Sequence, residues 1–426
     1  LTRKYNTMPI NFRKIPEIIY IILITAILVS IFSVKSYYTS ENANLEDFKP
    51  ISKIDKAQLT YKGKDSYINL PTLIDVDEEF ELKINISGET NFSGKSLGLF
   101  IGYSDIDVIV DGKIIYRDHV DRKNFSYSGG YPYRIIKIPQ NIISPIVKIK
   151  IKPKLKLVHT YTIRPIEIGK KANFYMYLMK EDFVGMSISA VLLFIFLISA
   201  LMYVISILLK SKISKLYNVG LISLFGGVYS MTSYKLMSYI FSPNIEFLYF
   251  IEYTSLLLLP YTILKILDSG VNKNGKKILF WIKNIVIINY IAQVLMTFLG
   301  ILGFKDMATL SHIIICSSLI GGIVVLFTSS NNKKNMRGIA IVFSLYVFLS
   351  LVFVIVTFKS DGQYTMYGFI LWGFIFFIMF QIWQGALSYI NSKNENVKTN
   401  LYKKYIYQDI MTGLKSRFAF EEKMNE

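Results

Sequence analysis

Few side chains in this sequence have the type and placement to do chemistry. Lys235 and Glu252 are charges set inside long apolar runs, where an unpaired ionisable group is costly and often functional. Lys235 lies near the end of the run 216–241, and Glu252 near the start of the run 246–267. At about 1.5 Å of rise per residue, each sits roughly 9 Å inside the boundary where the two runs meet. Adjacent antiparallel helices would bring them level, which predicts an intramembrane ion pair; separate snorkelling to the interface is the competing arrangement.

Other candidates are weaker. In "NFSYSGGYPYR", 124–134, the rings of Tyr127, Tyr131 and Tyr133 could stack on a sugar, and a hairpin with its aromatics packed inward is the alternative. The lysine alternation at 148–156 suits an anionic envelope polymer or, more simply, protection of an edge strand. Asn289 and Gln293, four residues apart, suit hydrogen bonding between helices. His312 and Cys316 share that spacing but make only two ligands, so no metal is expected. Walker A, HExxH and GxSxG strings are missing, as is a phosphoacceptor histidine helix.

The elements that must carry these residues are legible from the pattern of apolar runs. Of 426 residues, 52% are hydrophobic and 18% charged, and the apolar residues cluster in stretches long enough to cross a bilayer. The net charge of +18 sits mainly in short loops between those stretches, as in membrane proteins, so no nucleic-acid partner is expected. With one cysteine, Cys316, no intramolecular disulfide can form.

Residues 16–34 read as an uncleaved anchor helix behind Arg3, Lys4, Arg13 and Lys14. Between 37 and 175 the sequence turns β-rich. "FELKINIS" (80–87), "DVIVDGKIIYRD" (107–118), "RIIKIP" (134–139) and "VKIKIKPKLKLV" (147–158) read as strands, with a hairpin turn at Asp111-Gly112. Short strands between turns predict a β-sandwich. Seven apolar runs follow, at 183–209, 216–241, 246–267, 279–302, 308–329, 337–358 and 366–390. Lysine and arginine concentrate in alternate loops, which predicts cytoplasmic termini and a β-domain outside. Residues 385–408 form a weak heptad pattern that suits either a dimeric linker or a solvated connecting helix.

The stretch "YQDIMTGLKSRFAF" resembles the opening of a GGDEF, or diguanylate cyclase, domain. Asp409, Thr412, Gly413, Leu414, Arg417 and Phe420 match its D-x-L-T-G-L-x-N-R-x-x-F pattern, with Met411 and Ser416 in place of Leu and Asn. Together with the β-rich region and seven apolar runs, "LGLFIGYSDIDVIVDGKIIYRD" (97–118) resembles the bacterial 7TM receptors with diverse intracellular signalling modules. That resemblance implies a multi-domain membrane protein in the cytoplasmic membrane. Its parts are a cytoplasmic N-terminus and anchor (1–36), an extracytoplasmic jelly-roll-like β-sandwich sensor (37–178) and a seven-transmembrane region (179–390). A signalling linker (391–408) and the start of an α/β GGDEF domain (409–426) complete it.

The same resemblance implies a homodimer that senses an extracytoplasmic ligand, carbohydrate being one candidate, and controls synthesis of cyclic di-GMP from two GTP with Mg²⁺. The 426 residues contain no G-G-[D/E]-E-F, so catalysis and the Mg²⁺ and GTP sites would belong to a longer product. These residues themselves call for no cofactor. Alternatives are a transporter or envelope-binding membrane protein, or a catalytically inactive receptor.

Overall fold

The computed structural model describes residues 51–86, 94–118, 130–140, 146–208, 214–268 and 270–329, with isolated positions at 397, 406, 416 and 424. The anchor run 16–34, Tyr127, the runs 337–358 and 366–390, the linker apart from positions 397 and 406, and the matching positions Asp409, Thr412, Gly413, Leu414, Arg417 and Phe420 lie outside the described residues. Everything described from Ile51 to Ser329 belongs to one compact unit, Thr25–Phe377.

The described residues begin with twelve strands: β1 Ser52–Ile54, β2 Lys56–Tyr61, β3 Lys64–Asn69, β4 Thr72–Asp75, β5 Phe80–Asn85, β6 Ser96–Phe100, β7 Ser104–Val110, β8 Lys113–Asp118, β9 Tyr133–Lys137, β10 Ile146–Pro153, β11 Thr160–Ile163 and β12 Ile166–Gly169. They form a six-stranded sheet in the order β3-β2-β5-β10-β7-β8, a four-stranded sheet β1-β12-β6-β9 and the pair β11-β4. Residues from all three sheets share one apolar core, including Leu82, Ile84, Leu97, Leu99, Val108, Ile149 and Ile168. Period-two alternation explains it, since neighbouring side chains on a strand point to opposite faces.

In β10, Val147, Ile149 and Ile151 are buried while Lys148, Lys150 and Lys152 face out. The edge-strand reading of those lysines is corrected: β10 lies between β5 and β7. Lys150 stands opposite Glu81 on one side and Asp107 on the other, and Lys152 opposite Asp105. The lysines therefore belong to a mixed-charge face rather than a uniform basic stripe. The Asp111-Gly112 hairpin forms as expected, with φ of 50° and 74° at its two central residues.

Strand β12 leads almost directly into helix α1, Lys171–Leu208. Then come α2 Ser214–Thr232, α3 Lys235–Ile240, α4 Ile245–Leu267, α5 Lys273–Phe298 and α6 Ala308–Ser329. Among the described residues, four segments are long and apolar enough to cross a membrane: Lys171–Ile205, Ile245–Leu267, Lys273–Phe298 and Ala308–Ser329.

The run 216–241 is not the single helix expected from its hydropathy. It breaks at Ser233 and Tyr234, where Tyr234 is extended at φ −84° and ψ 146°. The break is held from outside. A Cβ at Gly185 of α1 would lie 1.8 Å from the Tyr234 hydroxyl, so the missing side chain makes the notch that receives the ring. Asp182, also of α1, accepts the Leu236 N–H at 2.8 Å. A neighbouring helix thus supplies the capping group that Tyr234 itself does not.

Candidate functional site

Among the described residues, three hydrogen-bonded contacts join the β-domain to one end of the helices, and each centres on a carboxylate. At the first, α4 carries Tyr249, Glu252 and Tyr253 with helical spacing, which gathers them at its start. Glu252 is only 6% exposed. Its carboxylate accepts the Tyr131 hydroxyl from the β-domain and, at 2.9 Å, the Ser233 hydroxyl from the break.

Tyr131 is set by Gly130, whose φ of 67° suits a residue without a Cβ. Its ring meets Phe100, Tyr103 and Tyr249 edge-on, with centroids 5.9, 5.8 and 6.2 Å away. Tyr103 takes the uncommon φ of 56° and donates its N–H to the Gly130 carbonyl at 2.6 Å. Burial, with other tyrosines and Glu252 nearby, holds the Tyr103 hydroxyl well above the usual phenol range. The Lys305 ammonium lies 5.9 Å from the Tyr103 ring centroid. Burial pushes that ammonium below the ordinary lysine range, and the charge of Glu252 pulls it back.

The second contact centres on Glu167 of β12, which is likewise buried. It accepts the hydroxyl of Tyr133 from β9 and that of Tyr177 from α1, the latter at 2.8 Å. Lys235 of α3 stands 3.8 Å from Glu167 and 2.8 Å from Glu181 of α1. Ser238 of α3 accepts the Tyr133 N–H at 3.2 Å. At the third contact, Asp306 between α5 and α6 accepts the N–H groups of Lys156 and Leu157, each at 2.9 Å. The Lys156 ammonium donates to the Ile301 carbonyl at 2.9 Å.

The predicted pairing of Lys235 with Glu252 is therefore corrected. Both residues are at the expected end of the helices, but Lys235 pairs with Glu181 and Glu252 is held by two hydroxyls. The cause is the break before Lys235, which restarts the helix and aims the ammonium at α1 and β12. Tyr131 and Tyr133 do not form an exposed stacking platform either: Tyr133 is buried against Phe174, and Tyr131 sits among rings over α4.

Gln293 donates to Asn289 at 3.0 Å and across to Ser311 of α6 at 2.5 Å, the interhelical bonding expected of that pair. His312 Nδ1 lies 2.5 Å from the Ala308 carbonyl of its own helix. Among the described residues, no group of three or more His, Cys, Asp or Glu is placed to hold a metal ion.

Sequence reasoning missed Glu167, Glu181, Asp306, Tyr103 and Tyr177. Tyr177 and Glu181 carry the i, i+4 spacing of a helix face, and Glu167 interrupts an apolar strand, but neither sign names a partner. Among the described residues, the junction is made of hydrogen bonds and ion pairs from the β-domain and the helices to buried carboxylates. No protein family, curated protein or solved structure matches this chain.

Proposed function

We propose that this chain is the sensory part of a membrane receptor. Its β-domain lies outside, and its helices pass a change in that domain to an output at the cytoplasmic end. The observation that carries this reading is the buried bond from Tyr131 of the β-domain to Glu252 of α4. Two further contacts join the same parts, so β-domain and helices cannot shift independently without losing hydrogen bonds to the buried carboxylates of Glu167 and Asp306. A tethered binding module would have no need of that connection. The cytoplasmic placement of the far end rests on the alternation of lysine and arginine between the apolar runs.

The opening motif from Asp409 to Phe420 supports a diguanylate cyclase as the output. In that reading the longer product works as a dimer, one GTP held by each cyclase domain, with Mg²⁺ balancing charge during phosphoryl transfer. A ligand would act by favouring one arrangement of the helices over another.

The test is cyclic di-GMP output from the extended gene product in cells, with Tyr131→Phe and Glu252→Gln beside the parent. The expected result is a changed output in both variants at equal protein level. Parental output in both would sink the coupling, and no cyclic di-GMP from any of them would sink the cyclase.

A further inference from the structure

The junction is ringed by apolar side chains that neither body covers. Leu157 in the β-domain loop after β10 is 61% exposed, and Leu299 just past α5 is 71% exposed. Ile301 beside it, Ile240 and Phe241 at the end of α3, and Phe247 in the first turn of α4 are exposed as well. All lie at one end of the helices. Helices α2 and α5 arrive there, and α1, α4 and α6 depart from it.

The loop is fixed at that level. The Leu157 N–H is bonded to Asp306, and its neighbour Lys156 is bonded to the Gly300 and Ile301 carbonyls. The β-domain therefore holds an exposed leucine beside the end of a membrane-capable helix. The collar also continues an apolar surface: Leu295, Met296 and Phe298 on the last turn of α5 are exposed directly before Leu299. A ring of this composition is unusual on a water-facing surface. Directly before Ile240, Tyr239 pairs edge to face with Tyr175, their hydroxyls 2.9 Å apart, the amphipathic residue type favoured where bilayer meets water.

We propose that this collar is a bilayer contact. The base of the β-domain is seated in the headgroup–acyl boundary of the leaflet on its side, with Leu157 and Phe247 among lipid chains. The occupant is lipid because the exposed apolar surface of α5 at Leu295, Met296 and Phe298 continues into Leu299 and Ile301, against which the Lys156-Leu157 loop is bonded. Seating of this kind adds a second route to the helices, since the thickness or packing of that leaflet then bears on the same junction. The inference rests on α1 and α4–α6 crossing the membrane.

The test uses the full chain in phosphatidylcholine vesicles on a Cys316→Ser background. Single spin labels go at Leu157→Cys, Phe247→Cys, Ile291→Cys in the middle of α5, and Tyr67→Cys on the exposed face of β3. Collision rates with oxygen, which enters lipid, and with a nickel chelate, which does not, are compared. The expected result is that labels at 157 and 247 resemble 291, with severalfold less nickel contact than 67. Labels at 157 and 247 that behave like 67, while 291 stays lipid-exposed, would overturn the collar and leave the membrane reading standing. A label at 291 as open to nickel as 67 would overturn both.

Discussion

The Tyr131 hydroxyl of the β-domain is hydrogen-bonded to the buried Glu252 carboxylate of α4, 121 residues further along the chain. Removing the donor from a buried hydrogen bond costs about 1–3 kcal/mol. Tyr131→Phe keeps the ring packing and removes only that donor, so thermal unfolding of the detergent-solubilised chain should report a loss of that order. Glu252→Leu should cost more than Tyr131→Phe, because it removes the acceptor of both the Tyr131 and the Ser233 hydroxyls. An unfolding temperature unchanged in Tyr131→Phe would mean that the bond contributes nothing to holding the two bodies together.

Lys235 should couple to Glu181 and not to Glu252. A double-mutant cycle of Lys235→Met with Glu181→Gln should give an interaction of about 1 kcal/mol, as for a partly exposed pair. The same cycle with Glu252→Gln should give a value near zero. Exchanging the charges, Lys235→Glu with Glu181→Lys, should recover part of the stability lost by Lys235→Glu alone. Coupling to Glu252 instead would restore the pairing read from the sequence.

Gly185 should tolerate no side chain while Tyr234 is present. Its Cβ would fall 1.8 Å from the Tyr234 hydroxyl and 2.1 Å from Cζ. Overpacking of that kind costs about 1–3 kcal/mol. Tyr234→Ala should relieve most of the penalty of Gly185→Ala, leaving only its own loss of packing. Additive losses in the cycle would show that the notch and the ring are independent.

Acid should weaken the end of the β2–β3 hairpin through Asp77. The Tyr61 hydroxyl, and after it the Lys62 ammonium 2.9 Å away, hold the Asp77 carboxyl down at about 2. An unfolded aspartate titrates near about 3.9. A carboxyl depressed in the folded state stabilises above the unfolded value, and that stability is lost as pH falls towards the folded one. Unfolding temperature measured from pH 6 to pH 2 should therefore decline less steeply below about pH 4 in Asp77→Asn than in the parent. Parallel curves would assign the acid sensitivity to other groups.

Much of the β-domain was legible because its signals are local. The alternation of β10 and the Asp111-Gly112 turn need only adjacent residues to be read. The Lys62-Gly63 turn, with φ of 49° and 74°, escaped notice because lysine stands where aspartate or asparagine marks such a turn. The break at Ser233 and Tyr234 was hidden for a different reason. Hydropathy sums a window of one segment, while the break depends on a notch and a capping carboxylate in another, some fifty residues earlier. Lys235 and Glu252 stand out in the sequence as charges in apolar runs, but their partners do not, because Glu181 lies 54 residues from Lys235 and Tyr131 lies 121 residues from Glu252, separations that leave no spacing signal.

One residue, Lys170, separates the last strand of the β-domain from the first helix. Gly169 before it is pressed against Ile51, where a Cβ would come within 3.0 Å of Cγ1, so there is little slack at the joint. Helix α1 then runs for 38 residues, about 57 Å. It is a lever with a very short hinge: a tilt of about 1° at the strand moves the far tip by about 1 Å over that length. Motions of β12 too small to rearrange the sheet would still appear at the far tip of α1 as a displacement several times larger than at the joint.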